Sequence, residues 1–332
     1  MGPSTYRTLA AVISAIALFP MSIRAEDKKK DPEQIGNRDV GSGVNFYSIE
    51  KEIALGKGLA QEIEREAKLV NDPVPAEFVN RLAQNLARNS DAKYPVTAKV
   101  IDSDQVNAFA LPGGFLFVNS GLVLKAETEA ELASAISHEI AHVAARHGTR
   151  QASRGQIVNL ASIPLIFMGG WTGYAIRQGA GLAIPMTFLK FSRGFEQEAD
   201  LLGLQYLYKA GYDPTAFVDF FERLDAMERR KPGTMSEIFG SHPKVSSRIQ
   251  STQQNIEQLL KQQPQYVITS SEFVQVKQYL EQSLNWRKAA PKAAGPTLRR
   301  PAGAGRIENG DDQKPEDDER PTLKRRDPSS AN

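Results

Sequence analysis

Two histidines four residues apart with a glutamate beside the first, His138, Glu139 and His142, are the residues of this chain best suited to chemistry. On a helix advancing about 100° per residue, His138 and His142 lie roughly 40° apart and one turn removed, so each can give one imidazole nitrogen to the same zinc ion. Glu139 borders that sector, where its carboxylate can take a proton from an attacking water as a general base. Residues 127–147 read as one uninterrupted helix. Leu132, Ile136, Ile140 and Val143 make its core-facing stripe and leave the histidines off it. Small residues at Ala130, Ala133, Ser134 and Ala135 precede the histidines.

A catalytic zinc takes three protein ligands and keeps a fourth position open, so two histidines leave one place to fill. In one metalloprotease pattern a glycine and then a third histidine follow the second, but Ala145 and Gly148 stand at those places. His147 is one place out of register, roughly 140° around a straight helix from His142, and reads as a histidine interacting with the dipole near a helix C-terminus. A carboxylate on a later helix is the remaining source. Glu196 and Asp200 are four apart and share a face, so one can bind zinc while the other orients a ligand imidazole through its second nitrogen. Glu198 points away from the Asp200 side and is expected in solvent, and small Ala199 would let the two helices approach closely. The plain alternative is a surface acidic helix.

His242 precedes Pro243 in a turn, which favours a fixed extended backbone there. It can stabilise an oxyanion together with Arg248, occupy the open metal position in a latent state, or simply cap a helix starting near Lys244.

The elements that must position these groups are legible in outline. Ser48 can cap a helix running to about residue 70, with Glu52, Glu62 and Glu64 among its polar positions and Pro73 and Pro75 ending it. A second amphipathic helix spans 76–89. Residues 96–101 alternate like a strand, and 107–119 read as two short strands around a Pro112, Gly113, Gly114 turn. These three strands form a small sheet ahead of the histidine helix, either a plain structural hairpin or an edge that binds an extended peptide through main-chain hydrogen bonds. Gly148 is a plausible helix C-cap. The apolar stretches 157–170 and 182–191 are too short and too broken by Pro164 and Pro185 to span a membrane. They read as buried or lid-forming helices, with shallow membrane contact the lesser option. Trp171 and Tyr174 between them sit at a pocket rim or merely pack. Further helices follow at 195–210, 214–230 (Phe217, Phe220, Phe221 and Leu224 inward, as core), 244–260 and 271–284. The fold class is therefore α+β and predominantly helical.

The 332 residues carry a formal charge of +2 with 24% charged residues, so no overall field points to nucleic acid or to a strongly acidic partner. Arg7, the apolar run from Leu9 to Met21 and small Ala25 before a charged block have the layout of a cleavable secretory signal over 1–25. The absence of cysteine excludes a lipid-anchored cysteine and suits export to an oxidising compartment such as the periplasm. Residues 26–45 read as a linker, 46–260 as the folded domain that holds the candidate zinc site, 261–288 as a helical extension and 289–332 as a disordered tail. Lys324, Arg325 and Arg326 in that tail offer a basic cluster for an anionic surface, but the acidic residues interspersed nearby favour a solvated linker.

Four motifs in order are the stretch 107–114 (Asn-Ala-Phe-Ala-Leu-Pro-Gly-Gly), His138 to His142, Glu196 with Asp200, and Ser241, His242, Pro243. Together they resemble the CAAX prenyl protease/HtpX family of zinc metallopeptidases, and in particular its exported soluble BepA-like branch. The resemblance covers about residues 46 to 260. It implies a zincin-like, gluzincin-type domain with a small sheet before the histidine helix. It also implies His138, His142 and Glu196 as zinc ligands, Glu139 as general base, and Asp200 behind a ligand. The expected activity is zinc-dependent endoproteolysis of exposed segments in unfolded or misassembled envelope proteins. Two rival readings are a chaperone-like binding module with a structural or silent zinc site, and a metal-dependent hydrolase of a non-peptide bond.

Overall fold

Ten helical elements, one of them a single 3-10 turn, and one three-stranded sheet make up the described chain. The computed structural model describes residues 28–158, 191–230 and 246–289. The signal-like segment, most of the two apolar stretches with Trp171 and Tyr174, and the tail from 290 lie outside the described residues.

Local sequence sets the first helix starts. The Ser48 hydroxyl accepts from the Lys51 amide and caps α1 (Ile49–Glu66). Asp72 caps α2 (Pro73–Arg88) through the Val74 amide at 3.1 Å. Pro73 thus opens α2, where a missing amide hydrogen costs nothing, and α2 begins earlier than the expected 76.

The sheet has the order β1-β3-β2, with β1 (Thr97–Ile101) parallel and β2 (Ala108–Leu111) antiparallel to the central β3 (Phe115–Asn119). Strand alternation sorts its side chains into two cores. Leu111 and Phe117 join Leu59, Ala60 and Ile63 of α1, whereas Ala98, Val100, Leu116 and Val118 face the larger core. The hairpin turn is held by glycines at φ of +80° (Gly113) and +86° (Gly114). A Cβ on Gly113 would lie 2.7 Å from the Ile53 Cα of α1, so the turn is also a close-packing point.

After α3 (Ser120–Lys125) comes the central helix, α4 (Glu129–Ala144), capped by Thr128. Every residue of α4 is buried, its polar face included. α2, β2, α6 (Arg193–Lys209) and α7 (Ala216–Arg230) surround it. The small residues before His138 permit that crowding. Buried acids in its first turn are partnered: Glu129 accepts from the Tyr212 hydroxyl at 2.6 Å and Glu131 from Arg223 at 2.8 and 3.0 Å.

The helix expected over 127–147 is in fact broken. Arg146 has a φ of +56°, and a new helix, α5 (His147–Val158), starts immediately after it. A left-handed residue other than glycine has to be held there. Arg146 donates to the Glu52 carboxylate at 2.6 Å and to the Tyr47 carbonyl at 2.6 Å. Glu52, read from sequence as one of α1's polar positions, is 1% exposed and also accepts from the Tyr94 and Thr149 hydroxyls. Gly148 consequently lies inside α5 and caps nothing.

Residues 28–45, read as a linker, are packed where described. Arg38 pairs with buried Asp91 at 2.9 Å, and Asp91 also accepts from the Tyr206 hydroxyl of α6 at 2.8 Å. Val40 is fully buried. α8 (Ser246–Leu259) lies against α6 and α7. α9 (Ser271–Ala289) sends Phe273, Val276, Leu280 and Leu284 into the main core. No helix of the described residues is long and apolar enough to cross a membrane.

Candidate metal centre

α4 and α6 cross with Gly203 of α6 against the backbone of His138, where an added Cβ would lie 3.0 Å from both the Cα and the amide nitrogen of His138. This close approach, more than the size of Ala199 alone, brings the acidic face of α6 to the histidines. His138, His142 and Glu196 are all buried, and one ligand atom from each falls within 4.8 Å of the others. The two imidazole Nε2 atoms are 3.1 Å apart. Glu196 Oε1 is 3.5 Å from His142 Nε2, and Oε2 is 3.6 Å from His138 Nε2. Neighbouring ligand atoms of a tetrahedral zinc with bonds of about 2.0–2.1 Å stand about 3.3–3.4 Å apart, so the N, N, O set fits such an ion.

Asp200 stands behind His138, its Oδ1 3.0 Å from Nδ1. A carboxylate can only accept there, so Nδ1 carries a proton and Nε2 is the nitrogen turned to the centre, able to give its lone pair to a metal once its own proton has left. Arg248 of α8 grips Asp200 with two hydrogen bonds of 2.6 and 2.8 Å. Burial alone would lower the His138 pKa, but the Asp200 and Glu196 carboxylates outweigh it and push it up to about 9. Burial would likewise raise Asp200, yet the adjacent guanidinium holds it below the usual carboxylate range. The centre therefore favours positive charge, and a metal ion entering it displaces a proton.

On the other side the arrangement departs from expectation. The break at Arg146 swings His147 back, and its Nδ1 comes within 2.9 Å of His142 Nδ1. A straight helix forbids that contact; the kinked one makes it. His147 Nε2 in turn meets Glu198 Oε2 at 3.1 Å. Glu198 is not a free solvated acid: it pairs with Lys29 at 2.8 Å and Arg150 at 3.2 Å. Despite partial burial, which would raise it, the hydrogen bond from His147 and the charge of Lys29 bring its pKa down to about 2. Burial keeps His147 below the ordinary imidazole value, against the pull of Glu198. The rings are also clasped face to face, His142 on Phe191 at 4.0 Å and His147 on Phe195 at 4.4 Å.

Glu139 is buried beside His138 and accepts the Ala110 amide of β2 at 3.1 Å. The Asn107 carbonyl pairs with the Asn119 amide at the start of the hairpin, so by alternation Ala108 and Ala110 turn their main chains away from β3. β2 is thus an edge strand whose outer rim runs past Glu139. A cleft of about 530 Å³, counted out to its open mouth, lies there with Phe217, Phe221 and Leu224 of α7 as its apolar wall. Those phenylalanines, read as core, serve both purposes. His242, with Ser241 and Pro243, lies outside the described residues. Arg248, its expected companion, is engaged with Asp200.

Two imidazoles and a carboxylate from crossed helices, with a further carboxylate alongside, define the donor set of a mononuclear metallopeptidase centre. Residues 73–256 match peptidase family M48, and the chain belongs to that family. It is 31% identical to the beta-barrel assembly-enhancing protease of Yersinia pestis over 261 residues, covering 76% of this chain and 54% of that protein. It is 30% identical to the metalloprotease LoiP of Escherichia coli over 190 residues, 56% of this chain and 74% of LoiP. The mitochondrial metalloendopeptidase OMA1 of Schizosaccharomyces pombe matches at 34% over 169 residues, 50% of this chain and 47% of that protein. The chain spans about half the length of the assembly-enhancing protease it matches.

Proposed function

We propose that the chain is a zinc-dependent metalloendopeptidase, with His138, His142 and Glu196 as the metal ligands and Glu139 as the general base. The observation that carries this reading is the convergence of those three donors beside a buried carboxylate that opens on a cleft. Zinc bound there would polarise the scissile carbonyl and make water acidic enough to be deprotonated near neutral pH. Glu139, anchored by the Ala110 amide, accepts that proton and passes it to the leaving nitrogen. The outward main chain of Ala108 offers an extended substrate a strand to pair with, which favours a peptide over another hydrolysable bond. Asp200 and Arg248 keep the His138 ring in place.

The substrates we propose are exposed segments of unfolded or misassembled envelope proteins, in keeping with the beta-barrel assembly that the relatives' names give; the signal-like segment over 1–25 supports their being met in the periplasm after export. Glu139→Gln tests the chemistry: the variant should keep one zinc per chain by elemental analysis while casein cleavage falls by at least about 10²-fold. Undiminished cleavage would remove Glu139 from its role. Substrate capture that is indifferent to chelators, with no cleavage by the wild type, would favour a chaperone-like module instead.

A further inference from the structure

The proton positions around His142 can be read from hydrogen-bond arithmetic. Only one proton fits between the two Nδ1 atoms of His142 and His147, 2.9 Å apart. The other nitrogen of His147 faces a carboxylate oxygen of Glu198 at 3.1 Å, which can only accept. His147 therefore carries its proton on Nε2 and leaves Nδ1 as an acceptor. His142 must then carry its own proton on Nδ1. Its Nε2, with a lone pair, points to the centre it shares with His138 and Glu196. If Glu198 were turned away, His147 could carry its proton on Nδ1, and His142 would lose the partner that sets its tautomer.

We propose that His147 and Glu198 are positioning residues that fix the tautomer and ring orientation of His142 for metal binding, with Lys29 and Arg150 holding Glu198 in line. The proposal rests on the metal-site reading above. Several independent contacts make the line stiff. Glu198 is gripped by a cation from each side, Lys29 at 2.8 Å and Arg150 at 3.2 Å. His147 is fully buried and stacked on Phe195, whose ring also lies under the Arg150 and Arg154 guanidinium groups. The Arg146 break, tied to Glu52, sets the height at which His147 meets His142. A metal-binding histidine is commonly backed by a carboxylate or a carbonyl; here an imidazole is interposed, and the carboxylate lies one residue further out.

The test uses the full chain, Zn²⁺ as the probe, and two readouts other than activity. These are zinc affinity by competition with a chromogenic chelator, and the His142 tautomer by long-range ¹H–¹⁵N NMR of the imidazoles. Wild type should show the proton on His142 Nδ1. His147→Leu should weaken zinc binding about 10–100-fold and blur that tautomer. His147→Asn, whose amide oxygen can take the place of Nδ1, should recover most of the affinity. An unchanged affinity and tautomer in His147→Leu, with His142→Ala still losing the metal, overturns the inference and leaves the metal site intact. A wild type that binds no zinc removes the site reading and the inference with it. Should His147→Leu fail to fold, Glu198→Ala at its partly exposed position makes the same measurement, and wild-type affinity there overturns the inference.

Discussion

His138 is braced by a carboxylate that a guanidinium fixes in turn, whereas His142 leans on a second imidazole whose carboxylate reaches toward the protein's edge. The first brace is buried throughout, with Asp200 and Arg248 side chains 8% and 9% exposed. The second ends at Glu198 and Lys29, 19% and 23% exposed. One site thus combines a support that tolerates no loss with one that solvent softens. The difference is energetic before it is functional. Removing one partner of a buried ion pair strands the other, while water relieves the loss near the surface.

Four substitutions probe that asymmetry. Asp200→Asn leaves Arg248 buried without its main anion and should cost about 3–5 kcal/mol in urea unfolding, against about 1 kcal/mol or less for Glu198→Gln. Equal costs would dissolve the contrast. Gly203→Ala should come next, lowering stability by about 1–3 kcal/mol because its methyl lands on the His138 backbone. An alanine in a helix interior ordinarily gains about 1 kcal/mol over glycine, so even a neutral result would measure strain, and a full gain would show that α6 slides freely past α4. Glu52→Gln should have a smaller effect than Gly203→Ala, about 1 kcal/mol, by loosening the hold on Arg146. Amide hydrogen exchange should quicken at His147 and stay unchanged at His138; the reverse order would uncouple the helix break from the His142 side.

The same asymmetry governed what could be read from residue order. The His138 side obeys straight-helix spacing: His138 and His142 share a face, as do Glu196 and Asp200, and the helix crossing brings the two faces together. Arg248, more than a hundred positions from His138, had no linear mark linking it to Asp200. The His142 side depends on a left-handed Arg146 with no glycine to announce it, stabilised by an acid on a distant helix. Projecting His147 onto a continuing helix therefore placed it on the wrong face, and Glu198 went astray with it. Gly203 was a usable clue left unread, a glycine in a helix interior seven places after Glu196 and so on its face. Among the outer elements, the strands and their glycine turn followed from alternation and turn chemistry, while Pro73 was ambiguous because proline both ends and begins helices.

The segment around Lys29 and Arg38 bears on how the protein should be cut for expression. Trimming to the family-matched span of 73–256 would discard Glu52, Lys29, Arg38 and the aromatic and aliphatic plug supplied by α9. Asp91 would be left inside without its guanidinium, and Arg146 without the acid that holds its turn. A recombinant fragment intended to keep these contacts must include Lys29 at one end and Leu284 of α9 at the other.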